Sequence, residues 1–379
     1  MRANVNKCIG CGACEAACPK GCIAMQQNEK GFFVANINEA TCINCGLCDK
    51  ICPLQDKNNS VWEPKIFFAV NKDTEIRVNS SSGGVFSEVA MRVLQNGGVC
   101  FGVDFECASH EAKYVEISTI DSLGKLRKSK YVQANPNAVL PIVKKRLEDN
   151  IPVLFSGTPC MVHALKKYLK KEYSNLITCD FICHGVPSAG VLKDYLKVLE
   201  KKYKGRVASV DFRPKTYGWS NHSLKVTFDN GKTSDKLMMF DPYFKAFMAD
   251  NVILNDACYH CNYIQTKYSD ITLADFWGYR RINAELNDGK GLSLVFANTE
   301  KGQQYLVEAD NLALQEIPKE SVRYIFDKKE YGEAGSRKQE AFFKDYTEKK
   351  VLQCIEKHTA HPAWKEKLKY FIKKALRRG

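Results

Sequence analysis

Two cysteine runs near the start of the chain constrain its fold more than any other feature. Four cysteines precede Pro19, and four more precede Pro53 with the same spacing, C-x2-C-x2-C-x3-C-P. Gly10, Gly12 and Gly46 lie between them, where the absence of a side chain allows tight backbone bends. Thiolates packed this closely in so short a segment indicate ligands of a metal-containing group rather than an ordinary apolar core.

The doubled run is the pattern of bacterial ferredoxins with two 4Fe-4S clusters. In that arrangement the cysteine before the proline serves the other cluster, so Cys52 is predicted to join the first run and Cys18 the second. The predicted ligand sets are Cys8, Cys11, Cys14 and Cys52, and Cys18, Cys42, Cys45 and Cys48. Zinc is the rival metal, but structural zinc sites use separated C-x2-C pairs. Cys22 lies outside the pattern and is expected to be a small buried residue.

The remaining cysteines and the apolar pattern bear on cellular location. Seventeen cysteines is an odd number, and the early ones follow metal-ligand spacing rather than the pattern of a disulfide scaffold. The N-terminus lacks the apolar region of a signal peptide, and no apolar run approaches the ~18 residues of a spanning helix. We therefore expect a cytoplasmic protein.

The formal charge of +13 favours acidic partners, among which an acidic electron carrier is one class. The basic residues are spread through helical segments such as KKYLKKEY (166–173), which are typical of solvated helix faces. We expect no nucleic-acid binding, and expect instead a redox partner protein and a small-molecule acceptor.

After a polar linker, strand and helix patterns alternate. Strand-like segments at 66–70, 99–105 and 152–155 are interleaved with amphipathic helices at 80–98 and 139–150. This alternation predicts a mixed α+β / α/β domain with parallel strands behind a small ferredoxin-like domain. The expected segments are 1–57, 62–150, 151–330 and a basic C-terminal helical segment, 331–379.

Two further features suggest ligand sites. The serine- and glycine-rich turn at 81–84 enters a helix, so it is either an anion site for a cofactor phosphate or an ordinary helix N-cap. Cys258 and Cys261 form a lone C-x2-C pair, to which Cys160 and Cys183 from two strand-end loops are available as partners. The alternatives are a third cluster and packed free thiols.

Seven motifs in order give a more specific indication. Over roughly residues 62–300, the chain resembles the coenzyme F420 hydrogenase/dehydrogenase beta-subunit family. The motifs that carry the resemblance are SSGGVFSEVA, SKYVQ, VLFSGTPC, FICHGVPS, DFRPKTYGWS, CYHCNY and DITLADFWG.

The resemblance implies an iron-sulfur flavoprotein in which FAD lies between a 4Fe-4S cluster and a hydride donor or acceptor. It implies a third cluster on Cys160, Cys183, Cys258 and Cys261. The implied flavin contacts are Ser81, Ser82, Gly83, Gly84, Lys130, Gly157 and Thr158. Met161 departs from the glutamine that many relatives have after the GTPC cysteine, which puts one polar contact in doubt.

Two residues stay open at this point. His184 is either a proton donor or tuner of the neighbouring cluster, or a structural histidine, and Asp275 is either a ligand-binding group or a turn former. The C-terminal helix, 362–379, is amphipathic and basic, so it either contacts an anionic membrane or packs on its own domain.

The sequence thus predicts an oxidoreductase that passes electrons from a ferredoxin-type donor through clusters to FAD and on to coenzyme F420 or another small substrate. The first alternative is an electron-relay subunit with no substrate of its own. A cluster protein whose flavin site has decayed is the second.

Overall fold

The computed structural model describes residues 7–56, 62–327 and 331–362. The predicted basic helix at the C-terminus, including its proposed membrane contact, falls outside these residues apart from Pro362. The described strands are β1 Ile23–Gln27, β2 Phe33–Ile37, β3 Lys65–Asn71, β4 Val99–Glu106, β5 Glu111–Ile117, β6 Val153–Ser156, β7 Leu176–Phe181, β8 Val207–Asp211, β9 Ser223–Phe228, β10 Thr233–Leu237, β11 Ile271–Asp275, β12 Ser293–Ala297 and β13 Leu312–Glu316.

Helices connect most of these strands. The described α-helices are α1 Ala13–Ala17, α2 Leu47–Lys50, α3 Thr74–Val78, α4 Val85–Gln95, α5 Val139–Glu148, α6 Pro159–Leu169, α7 Ala189–Tyr203, α8 Pro242–Phe244, α9 Glu300–Val307, α10 Arg323–Phe326, α11 Gly332–Asp345 and α12 Val351–His358. A short π-helix, Lys245–Ala249, continues α8. In the described part of the chain, no helix has the length and apolarity needed to cross a bilayer.

The N-terminal module carries a β-hairpin between its two cysteine runs. β1 and β2 pair antiparallel, with Ile23 opposite Ile37 and Gln27 opposite Phe33. The turn is closed by Asn28, whose side-chain oxygen accepts hydrogen bonds from the amides of Lys30 and Phe32. The hairpin separates the two cysteine runs and holds them on one small scaffold.

The body is built on one mixed eight-stranded sheet, which confirms the predicted fold class. The strand order is β13-β3-β12-β11-β7-β6-β4-β5. Neighbours from β4 through β6 and β7 to β11 are parallel, whereas the flanking pairs are antiparallel. Residues 62–150 contribute β3, β4 and β5 to this sheet, and residues 151–330 contribute β6, β7, β11, β12 and β13. Because they share one sheet, the two segments form one structural unit.

The direction of the strands brings several loops to one edge of the sheet. The carboxyl ends of β6, β7 and β11 lie there together, and β3 ends at the same edge because Ala69 pairs with Ser293 at the start of β12. In open α/β sheets, this edge is where ligands bind. The loops that follow these strands therefore form the candidate site.

Helices cover both faces of the sheet. On one face, Val89 and Val93 of α4 pack with Leu154 and Ile177. On the other face, Val143 of α5 and Val162 of α6 pack with Val153 and Phe155, as expected from the alternation of side chains along a strand. Ala13, Ile23 and Ala35 of the N-terminal module belong to this second apolar cluster. The N-terminal module therefore shares an apolar core with the body of the protein.

A smaller antiparallel sheet, β8 to β10, stands beside the main one. Its β9–β10 turn contains Asp229-Asn230-Gly231, residues that are typical of tight hairpin turns. Helices α7, α11 and α12 pack against this region through residues such as Leu196, Phe342 and Ile355.

Candidate functional site

Four thiols of the N-terminal module form the first thiol set: Cys8, Cys11, Cys14 and Cys52. Burial raises the pKa of Cys11 well above its ordinary value, and the other three thiols raise it further. Burial likewise raises the pKa of Cys14 to about 12, with Cys8 and Cys52 adding to the shift. Buried thiols with pKa values this high need a positive centre to become thiolates. Cys52 thus lies with the cysteines of the first run, as predicted for a ligand that follows the second run but serves the first cluster.

The predicted ligands of the second cluster, Cys18, Cys42, Cys45 and Cys48, are called the second thiol set. Cys18 Sγ lies 3.3 Å from Cys22 Sγ, and Cys22 in turn lies against Cys42. The hydrogen bond between the two thiols raises the pKa of Cys22 to about 11, which favours the protonated form of Cys22. Cys22 is buried, as the sequence predicts.

The surface next to the second thiol set is open. Cys45 is exposed, and the neighbouring Ile43 and Leu47 are 56% and 37% exposed. Apolar side chains in such positions are typical of contact surfaces rather than of a protein's own core.

Three distant segments bring together the third thiol set: Cys160, Cys183, Cys258 and Cys261. Cys160 starts α6, Cys183 follows β7, and the last two belong to the 3-10 turn Asp256–His260 and the residue after it. A cavity of about 50 Å³ is lined by all four. Burial raises the pKa of Cys160 to about 12, and the charges of Cys261 and Cys183 contribute to this shift. The amide of Val186 donates to Cys258 Sγ at 3.4 Å, as backbone amides do around iron-sulfur clusters.

The chemistry of these thiol sets fits iron-sulfur clusters. Among the described residues, no three histidine, cysteine or carboxylate side chains converge as the ligands of one metal ion would. Four soft sulfur donors suit an iron-sulfur cluster, and those of the third thiol set line a common cavity of about 50 Å³.

A main cavity of about 520 Å³ lies at the ligand edge of the large sheet. This volume is within the usual range of cofactor and ligand pockets. Its wall includes Cys11 of the first thiol set and Cys160 and Cys183 of the third. Two thiol sets therefore open onto one cavity.

Most of the predicted flavin contacts line this cavity. Those in its wall are Ser81, Ser82, Gly84, Lys130, Gly157 and Thr158. Gly83 is the exception, because its amide donates to Ser293 Oγ at 2.8 Å and a Cβ there would lie 2.4 Å from the carbonyl oxygen of Ala69. Gly83 therefore lets the loop approach the sheet. Gly84 starts α4 with a φ of 90°, and no side chain caps the helix's free amides.

Cations gather beside this loop. Burial lowers the pKa of Lys130 to about 8, and its ammonium donates to the carbonyl oxygens of Lys125 (2.5 Å) and Arg127 (2.7 Å). Lys128 pairs with Asp211 at 2.6 Å. Lys215 Nζ donates to the carbonyls of Arg77, Ser82 and Lys290, and burial lowers its pKa to about 7.

Several wall residues were missed by sequence reasoning. Arg127 and Lys128 stand in the basic run RKSK, which directly precedes the YVQ of a quoted motif and was a usable signal. Trp277 is 41% exposed at the wall of the cavity and stacks on Trp219 at 4.6 Å. Nothing in the local sequence distinguished its exposed ring from a core tryptophan.

The two open residues now have partners. His184 lines both cavities, and its Nε2 lies 2.7 Å from Asn251 Oδ1. Asp275 accepts hydrogen bonds from Arg213 Nη2 at 3.1 Å and Trp219 Nε1 at 3.0 Å. Asp275 is thus a structural anchor within the cavity wall. Met161 also faces the cavity, where a glutamine would have offered a polar contact.

Comparisons with known proteins agree with this geometry. Residues 152–320 match the family model for the C terminus of the coenzyme F420 hydrogenase/dehydrogenase beta subunit, and residues 7–55 match the 4Fe-4S dicluster domain. The F subunit of the F420H2 dehydrogenase of Methanosarcina mazei is 23% identical over 340 residues, which cover 84% of this chain and 87% of that protein.

Among solved structures, the xenon-derivatised F420-reducing NiFe hydrogenase complex of Methanosarcina barkeri contains a chain with 16% identity and a TM-score of 0.48. The match covers 80% of this chain and 92% of that one.

The two family matches confirm the resemblance expected from the motifs. The chain is an iron-sulfur electron-transfer protein in which residues 152–320 match the coenzyme F420 hydrogenase/dehydrogenase beta-subunit family and residues 7–55 match the 4Fe-4S dicluster domain.

Proposed function

We propose that the protein is a flavin-dependent oxidoreductase that carries electrons between a partner protein at the second thiol set and a small molecule in the main cavity. One observation carries the proposal: the wall of this cavity contains Cys11, Cys160 and Cys183 together with the loop at 81–84. When bound, 4Fe-4S clusters supply one-electron steps, and FAD exchanges those electrons for hydride.

The chain's own residues would bind and orient these groups. The three thiol sets would hold three clusters, and the loop of Ser81 and Ser82 would offer hydroxyls and the free amides of α4 to the flavin phosphates. Lys130 would add positive charge, and the turn of Gly157 and Thr158 would let the ring approach the third thiol set. Tyr114, which stacks on Phe155 at 5.6 Å, has its hydroxyl next to Gly157 and so supports this turn from below.

For the acceptor we propose a small planar molecule, either the deazaflavin coenzyme F420 or a related heteroaromatic compound. The exposed face of Trp277 at the wall of the cavity offers a stacking surface for such a ring. Arg213, which is paired with Asp275, has its guanidinium carbon 5.5 Å from the centre of the Trp277 ring and helps to hold that ring in place. The coenzyme also appears in the name of the Methanosarcina mazei relative.

The second candidate is an electron-relay subunit that has no substrate of its own. The exposed Ile43 and Leu47 beside Cys45 favour it, because they make the second thiol set a natural contact for another protein. The two functions differ in one measurement: the relay subunit would not reduce F420 or other small acceptors when supplied with dithionite, whereas the oxidoreductase would.

Metal and flavin analysis after anaerobic purification tests the proposal. We expect about twelve irons and one flavin per chain. Cys258→Ala should lower the iron content to about eight, with the matched control Cys107→Ala, a half-buried cysteine outside the sets, unchanged. Eight irons in the unaltered protein would contradict the proposal of a third cluster. Absence of flavin would contradict the flavin-dependent oxidoreductase and favour the electron-relay subunit.

A further inference from the structure

Lys267 and Asp180 form a buried pair of opposite charges that is poorly satisfied. Lys267 Nζ lies 3.9 Å from Asp180 Oδ2, and both side chains are 1% exposed. Neither of these two atoms has a hydrogen-bond partner among the described residues. The other carboxylate oxygen of Asp180 accepts from Thr272 Oγ1. At 3.9 Å the ammonium and carboxylate attract each other without a hydrogen bond.

The pair lies next to the third thiol set. Asp180 is in β7, three residues before Cys183, and it lines the main cavity. Lys267 follows Cys261 on the segment that enters β11. The next residue, Tyr268, stacks at 3.6 Å on His163 of α6, the helix that begins at Cys160. The charges of Cys183, Cys261 and Cys160 all act on Lys267.

An unsatisfied buried ammonium is costly, because a charged donor that is removed from water without a hydrogen-bond partner loses more solvation free energy than a neutral donor does. The ring of Trp62, 5.3 Å from Lys267 Nζ, compensates only in part. Natural proteins retain such strain where the group interacts with something in the functional state. Four thiolates around a cluster carry net negative charge, and Lys267 is the buried cation beside them.

We propose that Lys267 is the charge partner of the cluster held by the third thiol set and that its ammonium raises the reduction potential of that cluster. The inference rests on the third cluster of the proposed function. One-electron reduction adds a negative charge, and a cation in a poorly hydrated interior stabilises the reduced form. Asp180 acts in the opposite direction, so the two residues together set the potential.

A redox titration followed by electron paramagnetic resonance tests this in the full-length protein. Lys267→Met keeps the length of the side chain and removes its charge, so the potential of the third cluster should become more negative. Lys267→Arg should stay close to the unaltered protein. Asp180→Asn should shift the potential in the positive direction, because the cluster's own charge keeps the amine protonated. Lys144→Met, which removes an exposed lysine on α5, is the control.

Iron content separates the two proposals. If the unaltered protein holds only about eight irons, the third cluster itself fails. If it holds about twelve and Lys267→Met leaves the third potential unchanged, the role of Lys267 is overturned while the cluster stands. Shifts of the same sign in Lys267→Met and Asp180→Asn would indicate structural disturbance and also overturn it. Should Lys267→Met fail to take up the cluster, Asp180→Asn decides: a positive shift supports the proposal, and no shift or a negative one overturns it.

Discussion

The amide of Gly190 donates a 3.1 Å hydrogen bond to the carbonyl oxygen of Gly31. Gly31 lies in the turn of the N-terminal hairpin, and Gly190 lies in the first turn of α7, so the two backbones touch where the module meets the body. Lys30, next to Gly31, pairs with Asp256 at 2.9 Å, and Ser188 donates to the carbonyl of Lys30 at 2.6 Å. This junction holds the first thiol set against the main cavity.

Gly190→Ala should loosen the junction. A Cβ at this helical position would lie 2.8 Å from Gly31 Cα, closer than such atoms approach in proteins. Overpacking of this kind typically costs about 1–3 kcal/mol of unfolding free energy. Anaerobic urea unfolding, followed by the visible absorbance of the clusters, measures the loss. Gly124→Ala is the control, because nothing lies within 4 Å of a Cβ there. Equal stability of both variants would contradict the close contact.

Cys22→Ala should retain all the iron, whereas Cys18→Ala should lose about four irons per chain. The reason is that Cys22 stays a thiol, held by its 3.3 Å contact with Cys18. Colorimetric iron analysis of anaerobically purified protein distinguishes the two variants. If both lost the same amount of iron, Cys22 would belong to the ligands and the assignment of the second thiol set would be wrong.

Local spacing predicted much of the fold and of the thiol sets. A short motif predicts that Cys18 and Cys52 each serve the cluster of the other cysteine run. A strand-helix-strand pattern of adjacent residues predicts the parallel strands β6 and β7. The insertion of β12 between β3 and β11 was not predictable, since strands distant in the chain meet there. Lys267 was missed for a similar reason: between Thr266 and Tyr268 it resembles a solvated lysine, and only the packing of Trp62 and Asp180 buries it.

The affinity for FAD should weaken with rising pH above about 8. Burial lowers the pKa of Lys130 to about 8, so in the flavin-free protein its amine loses its proton near that pH. A phosphate bound beside it needs the ammonium, and the Kd should therefore be flat below pH 8 and rise by up to about tenfold per pH unit above it. Fluorescence titration of flavin-depleted protein between pH 6.5 and 9.5 measures this.

Two variants isolate the contribution of Lys130. Lys130→Arg stays protonated and should remove the pH dependence, whereas Lys130→Met should bind FAD weakly at every pH. Lys144→Met, on the exposed side of α5, should behave as the unaltered protein does. A Kd that is the same at pH 7 and pH 9.5 in the unaltered protein would show that Lys130 does not contact the phosphates.

The stability of the protein should fall as the pH drops below 6.5, with His163 responsible for part of the slope. His163 Nε2 lies 3.0 Å from Asp56 Oδ2, and its Nδ1 lies 2.9 Å from the Tyr263 hydroxyl, an arrangement satisfied by a neutral ring with its proton on Nε2. Burial lowers the pKa of His163 to about 4, against the opposing effect of Asp56. Between pH 6.5 and about 4 the unfolded chain therefore binds more protons than the folded one. Unfolding free energy is lost over that window by at most about 1.4 kcal/mol per pH unit for this group.

Urea unfolding at a series of pH values, followed by tryptophan fluorescence, measures that slope and assigns it. His163→Gln cannot take up the proton and should give a shallower slope between pH 6.5 and 5. Some slope should remain, because burial also lowers the pKa of His222 to about 4. Because absolute stability can change in the variant, the comparison is between slopes. If the slope in His163→Gln equalled that of the unaltered protein, His163 would already be charged in the folded state. The ring that contacts Tyr263 and Asp56 would then be an imidazolium.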